Sequence, residues 1–308
     1  MRYCSPDTID NLDFLCIKLI MRVWKKVIFS DIPIQTRSED KVYEDFAKEM
    51  GGYGVDDSYQ SKESFFHKYF QGRYVDWDNY LQRNLHKDDE VLSIASGRCI
   101  NELKLLNDGY SISCSDLKIV PSYDASIQLF GTFPFLVLDI LREHPDKEYD
   151  GIICLGFGCF VNNDHLDKFF RNANKGLSLG KCLFLDSGGG RDNLFSLFWD
   201  VLYLPIEYKI FSFIYELIGK RGKNLVKYKE FGFRHTDEKI VESARRSGFE
   251  FVSREDFDFI DEFRRSVLLH RIIGRSSLAQ RIFSILGRWN PYIRMFKFKK
   301  ISNNFHRL

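Results

Sequence analysis

The sequence predicts an α/β fold in which a mostly parallel sheet is covered by helices on both faces. Three observations carry this. Residues 90–118, EVLSIASGRCINELKLLNDGYSISCSDLK, read as a buried strand, a small-residue turn, a helix and a second strand ending in a carboxylate. Short apolar runs of strand length recur at residues 149–156, 182–186 and 248–252. Helical periodicity fills the gaps between them, at residues 164–175 and 235–247.

In the first unit, Val91, Leu92, Ile94 and Ala95 form the continuous apolar run of a strand buried on both faces. Ser96 and Gly97 follow, small enough for backbone to approach a ligand closely. Ile100, Leu103, Leu105 and Leu106 then repeat at near-helical spacing until Gly109 ends the helix. The strand at residues 111–115 delivers Asp116 nineteen residues after Gly97, the spacing at which an acid reaches ribose hydroxyls.

With these residues the chain resembles the class I S-adenosylmethionine-dependent methyltransferases. Their first motif is a strand ending in an acid followed by G-x-G-x-G, and it matches Ser93-Ile94-Ala95-Ser96-Gly97-Arg98-Cys99. Gly97 is the middle glycine, Ala95 and Cys99 replace the outer two, and Ser93 replaces the acid. Leu138-Asp139-Ile140 fits the third-strand acid that receives the adenine amino group. Residues 149–156 fit the fourth strand, which opens beside the methyl group; Leu179-Gly180-Lys181 fits the turn into the fifth, and residues 292–301 the seventh. The resemblance spans roughly residues 80–254 plus that last strand. It implies a Rossmann-like, seven-stranded, mostly parallel sheet with an N-terminal helical lid and helical insertions. It also implies S-adenosylmethionine as cofactor, held by Ala95, Ser96, Gly97, Asp116, Leu117, Asp139, Ile140, Leu155 and Gly156.

At 308 residues and 44% hydrophobic content the chain can bury one large core with additions. The expected division is residues 1–85 as an N-terminal helical lid, 86–254 as the core with an insertion at about 192–228, and 255–308 as basic helices and the final strand. In the lid, Arg73 sits among Tyr69, Phe70, Tyr74, Trp77 and Tyr80, and is expected to meet the carboxylate of the methionine moiety; a surface arginine on an aromatic packing helix is the other reading. The insertion is rich in large apolar side chains, including Phe195, Phe198, Trp199, Phe211 and Phe213, which either roof an apolar pocket or pack on the core.

Charge is divided unevenly. Residues 264–308 hold eleven Lys or Arg and no acid, so against a total of +2 the rest of the chain stands at −9. Val267, Leu268, Leu269, Ile272, Ile273, Leu278, Ile282, Phe283, Ile285 and Leu286 alternate there with arginines, as in basic amphipathic helices. Such helices lie on an anionic membrane, or they pack on the sheet and leave their arginines to solvent. Nucleic acid is not expected, since no recognised binding motif accompanies the charge. No run reaches the length of about 18 apolar residues needed to span a bilayer: residues 194–219 and 14–29 are both broken by charges, and the latter lacks the form of a signal peptide. The seven cysteines are odd in number and include no C-x-x-C pair, which fits a reducing compartment and no metal site. The expected location is the cytoplasm, with peripheral contact at the inner membrane face.

Methyl transfer from a sulfonium needs positioning and exclusion of water, and a base only where the acceptor must lose a proton. His165 and His235 are the candidate bases, and each also reads as a helix-start residue. Gly188-Gly189-Gly190 lacks the phosphate-loop pattern and reads as a flexible edge beside the substrate. The expected activity is methylation of a small-molecule, glycan or lipid-linked acceptor. The altered turn at Ala95 and Cys99 keeps open a non-catalytic adaptor on the same fold, binding a membrane or protein partner.

Overall fold

Central strands buried on both faces organise the molecule. The computed structural model describes residues 61–119, 122–190, 192–217 and 233–303. The apolar segment at 14–29, most of the expected lid, the end of the insertion and Arg307 lie outside them. Helices α1 (Lys62–Tyr69) and α2 (Arg73–Asn84) precede β1 (Glu90–Ile94), α3 (Ile100–Asn107), β2 (Ser111–Asp116), α4 (Ser122–Phe130) and β3 (Phe135–Val137). Then come β4 (Tyr149–Cys154), α5 (Asn163–Lys175) and β5 (Leu177–Gly188). The insertion forms α6 (Leu194–Phe198), a π turn (Trp199–Tyr203) and α7 (Leu204–Leu217). The chain ends with α8 (Asp237–Arg246), β6 (Phe249–Phe257), α9 (Asp261–Arg264), α10 (Val267–Arg275), α11 (Ser277–Leu286) and β7 (Ile293–Lys300).

The seven strands lie in the order β3-β2-β1-β4-β5-β7-β6. β1 pairs in parallel with β2 and β4, β2 with β3, and β4 with β5, while β7 runs antiparallel between β5 and β6. The mostly parallel sheet expected from the sequence is therefore present. Leu92, Ile94, Ile152, Cys154, Leu183 and Leu185 turn to one face, against Leu166, Phe169 and Phe170 of α5 and Ile240 and Ala244 of α8. Val91, Ile153 and Phe184 turn to the other, against Trp77, Tyr80 and Leu81 of α2. Covering both faces is what lets these strands be continuously apolar.

Two boundaries differ from the sequence expectation. Leu179-Gly180-Lys181 is no turn ahead of the fifth strand but lies within β5, which begins at Leu177. The pairing passes from Tyr149↔Leu177 to Gly151↔Cys182, so three extra residues bulge there, and Gly180 takes φ +82. β6 extends past Val252 to Phe257, because β7 pairs with it as far as Ile293.

The basic C-terminal helices do not pack on the sheet. Ile273, Leu269, Phe283 and Leu286 bury against Trp199, Leu204 and Phe263, so tail and insertion share a separate apolar cluster. Charges lock the two together: Arg234 pairs with Asp200 at 3.1 Å and Glu262 at 3.3 Å, Arg265 pairs with the same two acids, and Glu207 accepts from Ser266 Oγ at 2.8 Å and Leu268 N at 3.0 Å. Asp200 and Glu262 have no exposed side-chain surface, and acids so buried are held only when paired.

Candidate functional site

The chain's strand order reverses between β1 and β4, whose carboxyl ends open a crevice at the topological switch point. The turn leaving β1 holds three left-handed residues in five: Ala95 at φ 56, Gly97 at φ 54 and Cys99 at φ 55. These are the three positions of the G-x-G-x-G pattern, so the backbone course survives where two glycines do not. An alanine and a cysteine held there carry of order 1–3 kcal/mol of strain each, which the hydrogen bonds around the turn must offset.

Those bonds come from serines and one carboxylate. Ser96 N donates to Ser115 O at 2.8 Å, and Ser115 N donates back to Ser96 Oγ at 3.1 Å. Gly97 N donates to Asp116 Oδ2 at 2.8 Å, while Leu117 N donates to Oδ1 at 2.7 Å. Asp116 thus joins the end of β2 to the turn after β1. Leu117 and Val137, at the ends of β2 and β3, are 47% and 60% exposed, which leaves apolar surface beside Asp116 for a flat ring.

Ser93 Oγ donates to Glu102 Oε1 at 2.6 Å, so a buried carboxylate of α3 lies against the end of β1. Burial pushes the Glu102 carboxyl up to about 7. The sequence reading passed over Glu102, whose contact with Ser93 appears only once β1 and α3 are laid together.

Asp139 follows β3 but spends its carboxylate locally, accepting from Leu141 N at 3.1 Å and pairing with Arg142 at 3.2 Å. Ile140 is buried in the core and its carbonyl accepts from Asn172 at 2.8 Å. Leu155 packs against the α2 cluster and Gly156 takes φ +70, where its N–H donates to Asp186 Oδ2 at 3.0 Å.

Asp186 belongs to this site although sequence reasoning gave it no role. Its signal was an apolar strand ending in an acid, CLFLD, the same grammar as SISCSD. Desolvation raises its carboxyl to about 7 against the opposing pull of the Arg73 guanidinium. Arg73 lies 5.2 Å from the Trp77 ring and 5.4 Å from the Tyr74 ring, and Trp77 Cη2 comes within 3.8 Å of a Cβ placed on Gly156. Arg73, Trp77, Gly156 and Asp186 therefore converge beneath α2.

The two histidines stand apart in character. His165 opens α5, where its N–H donates to Asn162 Oδ1 at 2.8 Å. His235 is buried, with Nε2 2.8 Å from Val161 O and Nδ1 3.2 Å from Asn163 Oδ1, which ties the entry of α8 to the loop after β4. The glycine triplet is not a flexible edge. Arg294, fully buried, donates to Gly188 O at 2.9 Å, to His235 O at 2.8 Å and to Asp192 Oδ2 at 2.6 Å. Gly189 N donates to Tyr292 O at 3.1 Å, and a Cβ on Gly190 would strike the Arg294 guanidinium.

No family model and no curated protein matches the chain. Among solved structures, a cyclopropane synthase of Mycobacterium tuberculosis is similar with a TM-score of 0.50 and 17% identity, over 74% of this chain and 84% of its own. The 1,6-didemethyltoxoflavin-N1-methyltransferase of Burkholderia thailandensis, solved with 1,6-didemethyltoxoflavin and S-adenosylhomocysteine, matches at TM-score 0.50 and 11% identity, over 89% and 95%. The fold is that of the class I S-adenosylmethionine-dependent methyltransferases.

Proposed function

We propose that this chain binds S-adenosylmethionine across the carboxyl ends of β1, β2 and β4 and methylates a small-molecule, glycan or lipid-linked acceptor. The observation that carries this is the Gly97–Asp116 hydrogen bond beneath a left-handed turn at the switch point of the sheet. The residues fit the cofactor: Gly97 admits close backbone approach, Asp116 would take the ribose hydroxyls with the carboxylate lone pairs that Gly97 N and Leu117 N leave over, and exposed Leu117 and Val137 would offer a face for adenine. When bound, the cofactor supplies an electrophilic methyl group. The protein's part is to orient the acceptor toward it and exclude water, with α2 as the cover. His165 remains the candidate base for an acceptor that must lose a proton, whereas both ring nitrogens of His235 already face protein oxygens. The test is calorimetric titration with S-adenosylmethionine and S-adenosylhomocysteine, with an NADH control. Micromolar binding that is lost in Asp116→Ala supports the reading; binding to NADH alone overturns it.

A membrane surface is the place where such an acceptor would be met. Leu194, Phe198, Leu202, Ile206, Ile210 and Ile214 recur at every fourth position and are each at least 43% exposed, which makes an apolar ridge along the insertion. Leu268, Ile272, Leu278, Ile282, Ile285 and Trp289 are exposed on the adjoining tail. Asn193 Nδ2 donates to Trp289 O at 2.5 Å, and Leu268 N donates to Glu207, so insertion and tail are joined at two points. Exposed Lys209, Arg271, Arg275, Arg281 and Arg288 flank them, and residues 266–289 contain no acid. Apolar side chains rimmed by cations suit anionic lipid. Among the described residues no helix is long and apolar enough to cross a membrane. Flotation with phosphatidylglycerol vesicles, lost in an Ile210→Asp, Phe213→Asp double variant, supports peripheral binding; an unbound wild-type chain refutes it.

The adaptor reading rests on Ala95 and Cys99. Both hold the backbone course a glycine would take, which favours the enzyme.

A further inference from the structure

Two cysteines meet beneath the turn after β1. Cys99 stands at its third left-handed position, with its N–H donating to Ser96 O at 2.8 Å and its sulfur 3.8 Å from Gly97 O. Cys114 lies on β2, in register with Ser93 of β1. The reciprocal bonds between Ser96 and Ser115 clamp the turn to β2 and bring the two side chains together. Both thiols are free, buried in one apolar cluster, and hydrogen-bonded to each other.

A small apolar residue on a buried strand is explanation enough for Cys114 alone. Cys99 is different, because in the left-handed region glycine is at ease and a cysteine is strained. A strained cysteine held against a second thiol points to chemistry of the pair.

We infer that Cys99 and Cys114 are a redox modification site that governs the turn: hydrogen peroxide oxidises them to a disulfide, and the oxidised turn no longer takes S-adenosylmethionine. The gating half of this rests on the proposed cofactor. In the net step both S–H bonds and the O–O bond break and one S–S bond forms. The peroxide takes the two electrons and, with the two thiol protons, leaves as two waters. Bringing sulfurs from hydrogen-bond contact to bonding distance moves them by roughly 2 Å. Cys114 is fixed on a strand between β1 and β3, so the turn gives way, and with it the Gly97–Asp116 hydrogen bond.

The hydrogen bond with Cys114, then burial, push the Cys99 thiol well above the ordinary 9.0, and burial raises Cys114. The thiolate is the reacting form, so the closed turn protects the pair. Oxidation proceeds through an opened turn, which a bound cofactor holds shut.

The experiment treats the full-length wild type with hydrogen peroxide, with and without saturating S-adenosylhomocysteine, and follows it by intact mass, peptide mapping and calorimetry. The expected product is a Cys99–Cys114 disulfide, which mapping separates from any bond made by the other five cysteines. It should form at least fivefold more slowly with ligand bound. The oxidised chain should bind S-adenosylhomocysteine at least tenfold more weakly, and dithiothreitol should restore the affinity. Cys99→Gly and Cys114→Ala, two variants in case one fails to fold, should each show the same affinity before and after peroxide. No Cys99–Cys114 bond in the unliganded wild type overturns the site. A bond that leaves affinity unchanged, or that forms as fast with ligand bound, overturns its hold on the turn, as does an equal loss of affinity in both variants. A reduced wild type that binds no S-adenosylhomocysteine overturns the cofactor reading, and the gating with it, whatever the thiols do.

Discussion

The backbone N–H of Gly97 is held by Oδ2 of Asp116 at 2.8 Å, across nineteen residues and two strands. The other oxygen of the same carboxylate takes the N–H of Leu117 at 2.7 Å. One side chain thus fixes the turn after β1 and the exit from β2. Asp116→Ala removes the acceptor from both N–H groups at a buried place, which costs about 1–3 kcal/mol for each left unsatisfied. A lower melting temperature and at least a tenfold weaker affinity for S-adenosylhomocysteine are expected, with Asp116→Asn intermediate because it keeps one oxygen. Wild-type affinity in the alanine variant would remove Asp116 from the site.

At Ala95, φ 56 places an L-residue where glycine is at ease. Ala95→Gly relieves strain but loosens the unfolded chain, so the net change in chemical denaturation is a gain of roughly 0.5 kcal/mol. Ala95→Val, with a β-branched side chain in the same conformation, is expected to lose about 2 kcal/mol or more. If valine is tolerated as well as glycine, the left-handed turn is not how the chain leaves β1.

The strands of the sheet were legible because period and burial agree: Val91 and Leu92 point to opposite faces, and both faces are apolar. Asp116 was legible from its distance along the chain to Gly97. What stayed hidden depends on neighbours remote in sequence. Glu102 reads as an ordinary helix-surface acid until β1 is laid beside α3, and Asp186 gains its meaning from Gly156 and Arg73. The glycine triplet misled for the same reason, since the guanidinium that demands those glycines enters from Arg294, on a strand over a hundred residues later. The tail helices likewise carried a clear stripe, but no pattern within them says that Trp199 and Phe263, and not the sheet, receive it.

Glu102 is expected to make stability fall as pH rises. Its carboxyl moves from an ordinary 4.5 to about 7 in the fold, because burial disfavours the charged form. Between those values the folded chain binds more protons than the unfolded chain, so its contribution is complete below about 4.5 and is lost as pH passes 7. The slope is at most about 1.4 kcal/mol per pH unit for this group. Urea denaturation of Glu102→Gln between pH 5 and 7.5 should show a flatter profile than wild type, with the remaining slope owed in part to Asp186, which is raised in the same direction. Identical profiles would mean that Glu102 is charged in the folded state at pH 5.

Gly188 and Gly190 provide the sharpest contrast, two residues apart. A Cβ on Gly188 meets nothing within 4 Å, whereas one on Gly190 strikes the Arg294 guanidinium and the Asp192 carboxylate. Arg294 has no room to withdraw: it is 1% exposed, and its donors are engaged by Gly188 O, His235 O and Asp192. Displacing it would break charge-assisted bonds in the interior, where an uncompensated ion costs about 3–5 kcal/mol. Gly190→Ala is therefore expected to lower stability by about 2–4 kcal/mol through overpacking and partial loss of that network, while Gly188→Ala stays within roughly 0.5 kcal/mol of wild type. Because Arg294 also bonds the carbonyl of His235, the Gly190→Ala variant should loosen the entry of α8, read as faster amide exchange at residues 237–240. Equal stability of the two alanine variants would mean that the triplet is a loose edge after all.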